Sequence, residues 1–134
     1  MSAEANIATA KDVYAAFGRG DVPAVLGAVA DDVDWATETS ATGAPWFGVR
    51  RGKDGVTSFF EAFGSTMEVE EFRPFAFAAD GDEVHTMVHC RAKSRETGKV
   101  VEHDLHHYFR FRDGKIDFYR GSEDTAQTLA ALTA

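Results

Sequence analysis

The sequence predicts an α+β fold in which N-terminal helices pack on one face of a curved antiparallel sheet. Three observations carry that expectation. Apolar residues recur at helical spacing early in the chain, as in Ile7, Ala10, Tyr14 and Phe17. From Met67 onward the pattern changes to strands, punctuated by the turn pairs Asp80-Gly81, Thr97-Gly98 and Asp113-Gly114. The 134 residues are 44% apolar and 27% charged, ordinary for a folded chain with a core of its own, so a single domain is expected over 1–134. Helices followed by a run of strands place the helices on one face of a sheet.

Each element has a local cause. Ile7 to Phe17 form the apolar stripe of a first helix, which Gly18 and Gly20 end. Asp21 caps a short second helix, with Pro23 in its first turn and Val25, Leu26 and Val29 on its apolar side. Val33-Asp34-Trp35-Ala36-Thr37 alternates as a short strand. Ser40 to Gly52 gathers Gly43, Pro45, Gly48 and Gly52 around Trp46-Phe47 and reads as an ordered loop, because tryptophan is rarely left fully wet. Val56, Phe59, Phe60 and Phe63 mark a third amphipathic helix. The turn pairs then delimit strands near 67–79, 82–95, 99–112 and 115–122. Ser122 or Asp124 caps a last helix carrying Ala126, Leu129 and Leu132.

A two-residue turn at Thr97-Gly98 sets Arg91 opposite Asp104 and Lys93 opposite Glu102, two opposite-charge pairs on one face. The other face then carries Thr86, Val88, Cys90 and Ala92 against Val101, His103, Leu105, His107 and Phe109. That face is mostly apolar, so it turns towards the helices and takes His103 and His107 with it. Met87, His89, His106 and Tyr108 are left outside, where aromatic and Met side chains favour contact with a second copy of the chain. A homodimer through the outer sheet face is expected.

Charge and composition exclude several function classes. Fourteen basic residues against 22 acidic ones leave a net charge of −8, the wrong sign for neutralising nucleic acid or an anionic membrane. No run approaches the length of a membrane-spanning helix, and the start, Met1 to Asn6, has neither a basic n-region nor an apolar h-region. A lone cysteine, Cys90, permits no intrachain disulfide, and a cytoplasmic location is expected. The five histidines all fall between His85 and His107. Residues four apart on a strand are about 13 Å apart, so neither His85/His89 nor His103/His107 can share one ion. His89 and His106, as neighbours on the outer face, lack a third ligand. No metal and no cofactor is expected.

Several short segments, taken in order, resemble the nuclear transport factor 2-like superfamily in its SnoaL-like, ketosteroid-isomerase-related branch. They are Tyr14-Ala15-Ala16-Phe17 through Gly20-Asp21, Ala30-Asp31-Asp32-Val33-Asp34-Trp35, Arg51-Gly52-Lys53-Asp54-Gly55, Phe109 to Ile116, and Asp124-Thr125-Ala126. The resemblance covers nearly the whole chain. It implies a cone: a strongly bent sheet around helices, enclosing a pocket open at one end, usually in a dimer. The superfamily hosts isomerases, polyketide cyclases, epoxide hydrolases, dehydratases and members without known chemistry, so fold alone leaves function open.

The ketosteroid-isomerase and epoxide-hydrolase catalytic sets are not retained here, and the cyclase's acid finds only a weak match. On the ketosteroid-isomerase pattern, the oxyanion tyrosine position falls on Val13 with Tyr14 one residue late. The base falls on Thr37 and the oxyanion carboxyl on His107. The epoxide-hydrolase set falls on Gly121, Val88 and Cys90, and the cyclase's last-strand acid would have to be sought at Asp117, Tyr119 or Gly121.

His107 is therefore the sharpest catalytic candidate, an inward histidine able to act as acid or base near neutral pH. Tyr14, Tyr119 or Thr37 would fix its tautomer or bond developing negative charge. A pocket for a small apolar molecule would be lined by Tyr14, Phe17, Trp35, Thr37, Trp46, Phe60, Phe63, Val88, Cys90, His103, Leu105 and Tyr119. Buried among apolar neighbours, Cys90 would be inert. Two functions remain open: a cofactor-independent isomerase or cyclase moving a proton through His107, and a non-catalytic ligand-binding or interaction module of the same fold.

Overall fold

The computed structural model describes residues 2–134. Helix α1 (Ala3–Gly18) is capped by Ser2, whose hydroxyl accepts from the Ala5 N–H at 3.0 Å, and it stops where Gly20 takes a left-handed φ of 70°. Asp21 caps α2 (Val22–Gly27) through the Ala24 N–H. Strand β1 (Val29–Thr37) follows, four residues longer at its start than the alternation alone suggests. The long loop contains only the short β2 (Arg50–Arg51) before α3 (Gly52–Thr66). The strands β3 (Met67–Asp80), β4 (Glu83–Ser94), β5 (Val100–Arg112) and β6 (Lys115–Ser122) lead to α4 (Thr125–Leu132), capped by Asp124.

The strands form one curved, unclosed six-stranded sheet in the order β2-β1-β6-β5-β4-β3. It is antiparallel except where β1 returns to lie parallel to β6. Bulges in β3, between Val69 and Glu71 and between Pro74 and Ala76, bend that strand and add twist. Pro74 is tolerated because β3 is an edge strand. Along β4 every second residue is buried, from Val84 to Ser94, and this face packs on the helices.

The β4–β5 register differs from the expected one by two residues. Arg91 faces Glu102, Lys93 faces Val100, and Asp104 lies opposite His89. The connection is a four-residue loop: Ser94 N–H donates to the Lys99 carbonyl at 2.8 Å, and Gly98 N–H reaches back to the Ser94 carbonyl at 2.9 Å, with Gly98 at φ 75°. A shift of two preserves which face each side chain takes, so His103 and His107 still point inward.

A second difference lies on β6. A register irregularity opposite Arg110 and Phe111 turns Asp117 to the outer side, where it accepts from Arg110 at 3.0 Å. Asp117 is thus removed from the inward series, which keeps Tyr119 and Gly121.

Candidate functional site

His107 on β5 and Tyr14 on α1 meet across the space between helix and sheet. The Tyr14 hydroxyl lies 2.6 Å from His107 Nδ1, and the two rings are nearly parallel at 8°. Phe72, Phe109 and Tyr119 surround the imidazole, which is 7% exposed. Burial, aided by neighbouring His106, pushes the His107 pKa down to about 3, because a charged imidazolium would be desolvated. Burial also holds the Tyr14 phenol well above its usual range, opposed weakly by the Thr86 hydroxyl. Thr86 Oγ1 does not reach a partner at hydrogen-bonding geometry. Both rings are therefore neutral at pH 7. A phenol is a much better proton donor than an imidazole N–H, so Tyr14 donates to Nδ1 and the ring proton resides on Nε2. That nitrogen is the one left for a ligand.

The chamber next to this pair is walled by aromatic rings. Trp35 stacks on Tyr119 with ring centroids 4.0 Å apart, and its Nε1–H is buried without a partner. Gly121 makes room for two of the rings: a Cβ there would stand 2.5 Å from the Tyr119 hydroxyl and 3.3 Å from His107 Cδ2. Glu123, just past β6, is the single carboxylate lining the chamber among the described residues. The Thr128 hydroxyl donates to its Oε2, leaving Oε1 uncommitted.

Of the residues expected to line a pocket, Tyr14, Phe17, Trp35, Thr37, Trp46, Phe60, Phe63, Leu105 and Tyr119 do so, with His107. Val88, Cys90 and His103 do not. Val88 is sealed within the core, while Cys90 and His103 face a separate space of about 30 Å³ beneath Trp46. There the Cys90 thiol is pushed up to about 12, chiefly by burial, and His103 Nδ1 has no partner.

The main chamber holds only about 70 Å³, smaller than a ring-sized ligand needs and room for roughly two waters. The rings of Phe17, Phe60, Phe63 and Phe72 close on one another at its mouth, with Phe17 and Phe72 centroids 4.7 Å apart. The expected pocket for a small apolar molecule is largely filled by its own walls.

Sequence reasoning missed Glu123 and Phe72. Glu123 sits between a strand end and the Asp124 cap, where a carboxylate reads as helix-start chemistry. Phe72 lies on an irregular edge strand whose alternation the bulges interrupt.

On the outer face the register sets Met87, not His89, opposite His106, and His85, the diagonal neighbour, stacks on His106 with Nδ1 and Nε2 3.1 Å apart. His89 instead bonds Asp104 at 2.8 Å and Glu102 at 2.9 Å, and these carboxylates raise its pKa. No group of three or more His, Cys, Asp or Glu side chains that could hold a metal occurs among the described residues. Nor is any described helix long and apolar enough to cross a membrane.

Helices packed into an unclosed curved sheet, with an aromatic chamber between, define the nuclear transport factor 2-like architecture. An NTF2-like protein of unknown function from Burkholderia pseudomallei K96243 superposes with a TM-score of 0.90 at 27% identity, over 100% of both chains. One from Burkholderia xenovorans LB400 does so at 0.88 and 25% identity, over 99% of each chain. TerC, co-crystallised with polyporic acid, shares the fold at 0.85 with 22% identity, over 97% of this chain and 99% of its own. No curated protein matches the chain in sequence. Residues 10–119 match the SnoaL-like domain, and the chain belongs to that family.

Proposed function

We propose that the protein takes a small apolar carbonyl compound into the chamber, widened as the Phe17, Phe60, Phe63 and Phe72 rings swing aside, and moves a proton next to the carbonyl, as an isomerase or cyclase without a cofactor. The observation that carries this reading is the Tyr14–His107 pair in the chamber wall: with Nδ1 taken by the phenol, Nε2 is the ring nitrogen left for a ligand. An imidazole whose pKa is near 3 is too weak a base to take a proton from carbon at neutral pH. His107 acts instead as the donor to the carbonyl oxygen, a neutral imidazole whose hydrogen bond strengthens as negative charge develops. Glu123 is the proton acceptor, a side chain with Oε1 uncommitted that lines the same chamber. The substrate loses a proton from the carbon beside its carbonyl to Glu123, the electron pair moves to the oxygen under His107, and the proton returns at another carbon or at the same one.

Membership of the SnoaL-like family and the co-crystal of TerC with polyporic acid support a small-molecule role for this fold. The test is α-proton exchange of 2-tetralone in D₂O, followed by NMR. Wild-type protein accelerates exchange, and Glu123→Gln lowers the rate by about 10²–10⁴-fold, the usual share of general acid–base catalysis. Binding of 2-tetralone with no acceleration selects the other reading, a non-catalytic binding module.

The same proposal includes a homodimer. Met87, His106 and Tyr108, with His85, form a patch on the outer sheet face that suits a self-complementary two-fold contact.

A further inference from the structure

Phe17, Phe60, Phe63 and Phe72 have a second side. The same four rings that close the 70 Å³ chamber also line an outer groove of about 480 Å³ between the α1–α2 turn, the end of α3 and β3. They are half-buried and meet at centroid distances of 4.7 to 6.4 Å, so a wall one ring thick divides the two spaces. Aromatic side chains turn about two torsions, and Phe17 has glycine as its C-terminal neighbour, where an added Cβ would meet nothing within 4 Å.

The groove is apolar except at its rim. There Glu70 is paired with Arg91 at 3.0 Å, and Glu71 stands 3.8 Å from His89 Nε2. Arg95 is different: its Nε donates to the Gly64 carbonyl at 2.9 Å, and its two terminal nitrogens have no acceptor among the described residues. In a chain of net charge −8, that guanidinium is the groove's local attraction for an anion.

We propose that chamber and groove are two halves of one binding site for an elongated apolar molecule with a carboxylate at one end. The inference rests on the reading that the chamber takes an apolar ligand. The apolar ring displaces the phenylalanine wall and reaches His107 and Glu123, while the carboxylate stays at the rim on Arg95. The opposite orientation would bury the carboxylate in an aromatic chamber that, among the described residues, holds no Arg or Lys to pair with it. A guanidinium at the rim gives a carboxylate paired N–H donors without that penalty.

The test uses two fluorescent probes with one body: 8-anilinonaphthalene-1-sulfonate, whose sulfonate stands for the carboxylate, and uncharged N-phenyl-1-naphthylamine. Both are titrated against wild type, Arg95→Gln and Gly64→Leu. Gly64 lines the groove within α3, and a Cβ there meets nothing within 4 Å, so leucine fills the groove without disturbing the helix. Arg95→Gln weakens the sulfonate probe about tenfold, the scale of one charge-assisted contact, and leaves the neutral probe within twofold. Gly64→Leu weakens both by at least about tenfold while thermal unfolding stays at or above the wild-type temperature.

Equal effects of Arg95→Gln on both probes, no effect of Gly64→Leu on either, or no binding by wild type overturns the proposal. The 2-tetralone exchange separates the two readings, since that ketone has no charged end for Arg95. Exchange with a failed probe experiment leaves the chamber reading standing alone. A successful probe experiment without exchange leaves the binding site standing and removes the catalysis.

Discussion

Tyr14 and His107 are 93 positions apart in sequence and 2.6 Å apart in space, one in the C-terminal half of α1 and the other near the centre of β5. Each is what allows the other to be buried neutral: the phenol has an acceptor and the imidazole has its tautomer fixed. Removing either partner leaves a polar group stranded among Phe72, Phe109 and Tyr119.

Tyr14→Phe keeps the ring and removes only the hydroxyl. Nδ1 of His107 then lies buried without a donor, and the expected loss of stability is about 1–3 kcal/mol. Urea unfolding measures it through a lower midpoint at unchanged slope. A variant as stable as wild type would mean that the bond contributes nothing.

His107 also makes stability acid-sensitive in a defined window. Its pKa is about 3 when folded and near 6.5 when unfolded, so between those values the unfolded chain binds a proton that the folded one refuses. Stability therefore falls as pH drops below 6.5, by about 2 kcal/mol at pH 5, and above 6.5 the group contributes no pH dependence. His107→Gln lacks this loss. The stability difference between wild type and His107→Gln should shift by that amount in the variant's favour from pH 7.5 to pH 5, read by urea titrations at each pH. Parallel curves would show that His107 is not buried neutral.

Gly121→Ala tests the packing around the pair. The new methyl would meet the Tyr119 hydroxyl and His107 Cδ2, both held by buried neighbours, and overpacking of this kind costs about 1–3 kcal/mol. Probe binding in the chamber should fall with it. Unchanged stability and binding would place slack where the rings now touch.

On assembly, sedimentation at micromolar concentration should show a dimer, and Met87→Glu on the outer face should shift it towards monomer without unfolding. A wild type that sediments only at 14.6 kDa would remove the outer-face interface.

Much of this was legible in the sequence, for reasons visible at particular residues. The glycines at 20, 81, 98 and 114 occupy left-handed φ, so the turns announced themselves. The inward direction of His107 survived an error of two residues in register, because side-chain direction on a strand repeats every two residues. What could not be read was local irregularity and free volume. The four-residue loop depends on Ser94 bonding, the outward turn of Asp117 depends on a bulge, and Phe72 comes from a doubly bulged edge strand. Whether eleven phenylalanines leave a space or fill it is decided by how rings from three elements meet, and no periodicity encodes that.

The most direct measurement is the long-range ¹⁵N–¹H NMR spectrum of the histidine side chains across pH 3–8, with and without 2-naphthol as a ligand whose oxygen mimics the developing enolate. The account predicts one imidazole, assigned by its loss in His107→Gln, that stays neutral down to about pH 4, with an unprotonated Nδ1 and a protonated Nε2. Adding 2-naphthol should then shift Nε2 far more than Nδ1. A His107 that titrates near pH 6.5, that carries its proton on Nδ1, or whose Nε2 ignores the ligand would contradict the claim that this nitrogen faces the substrate.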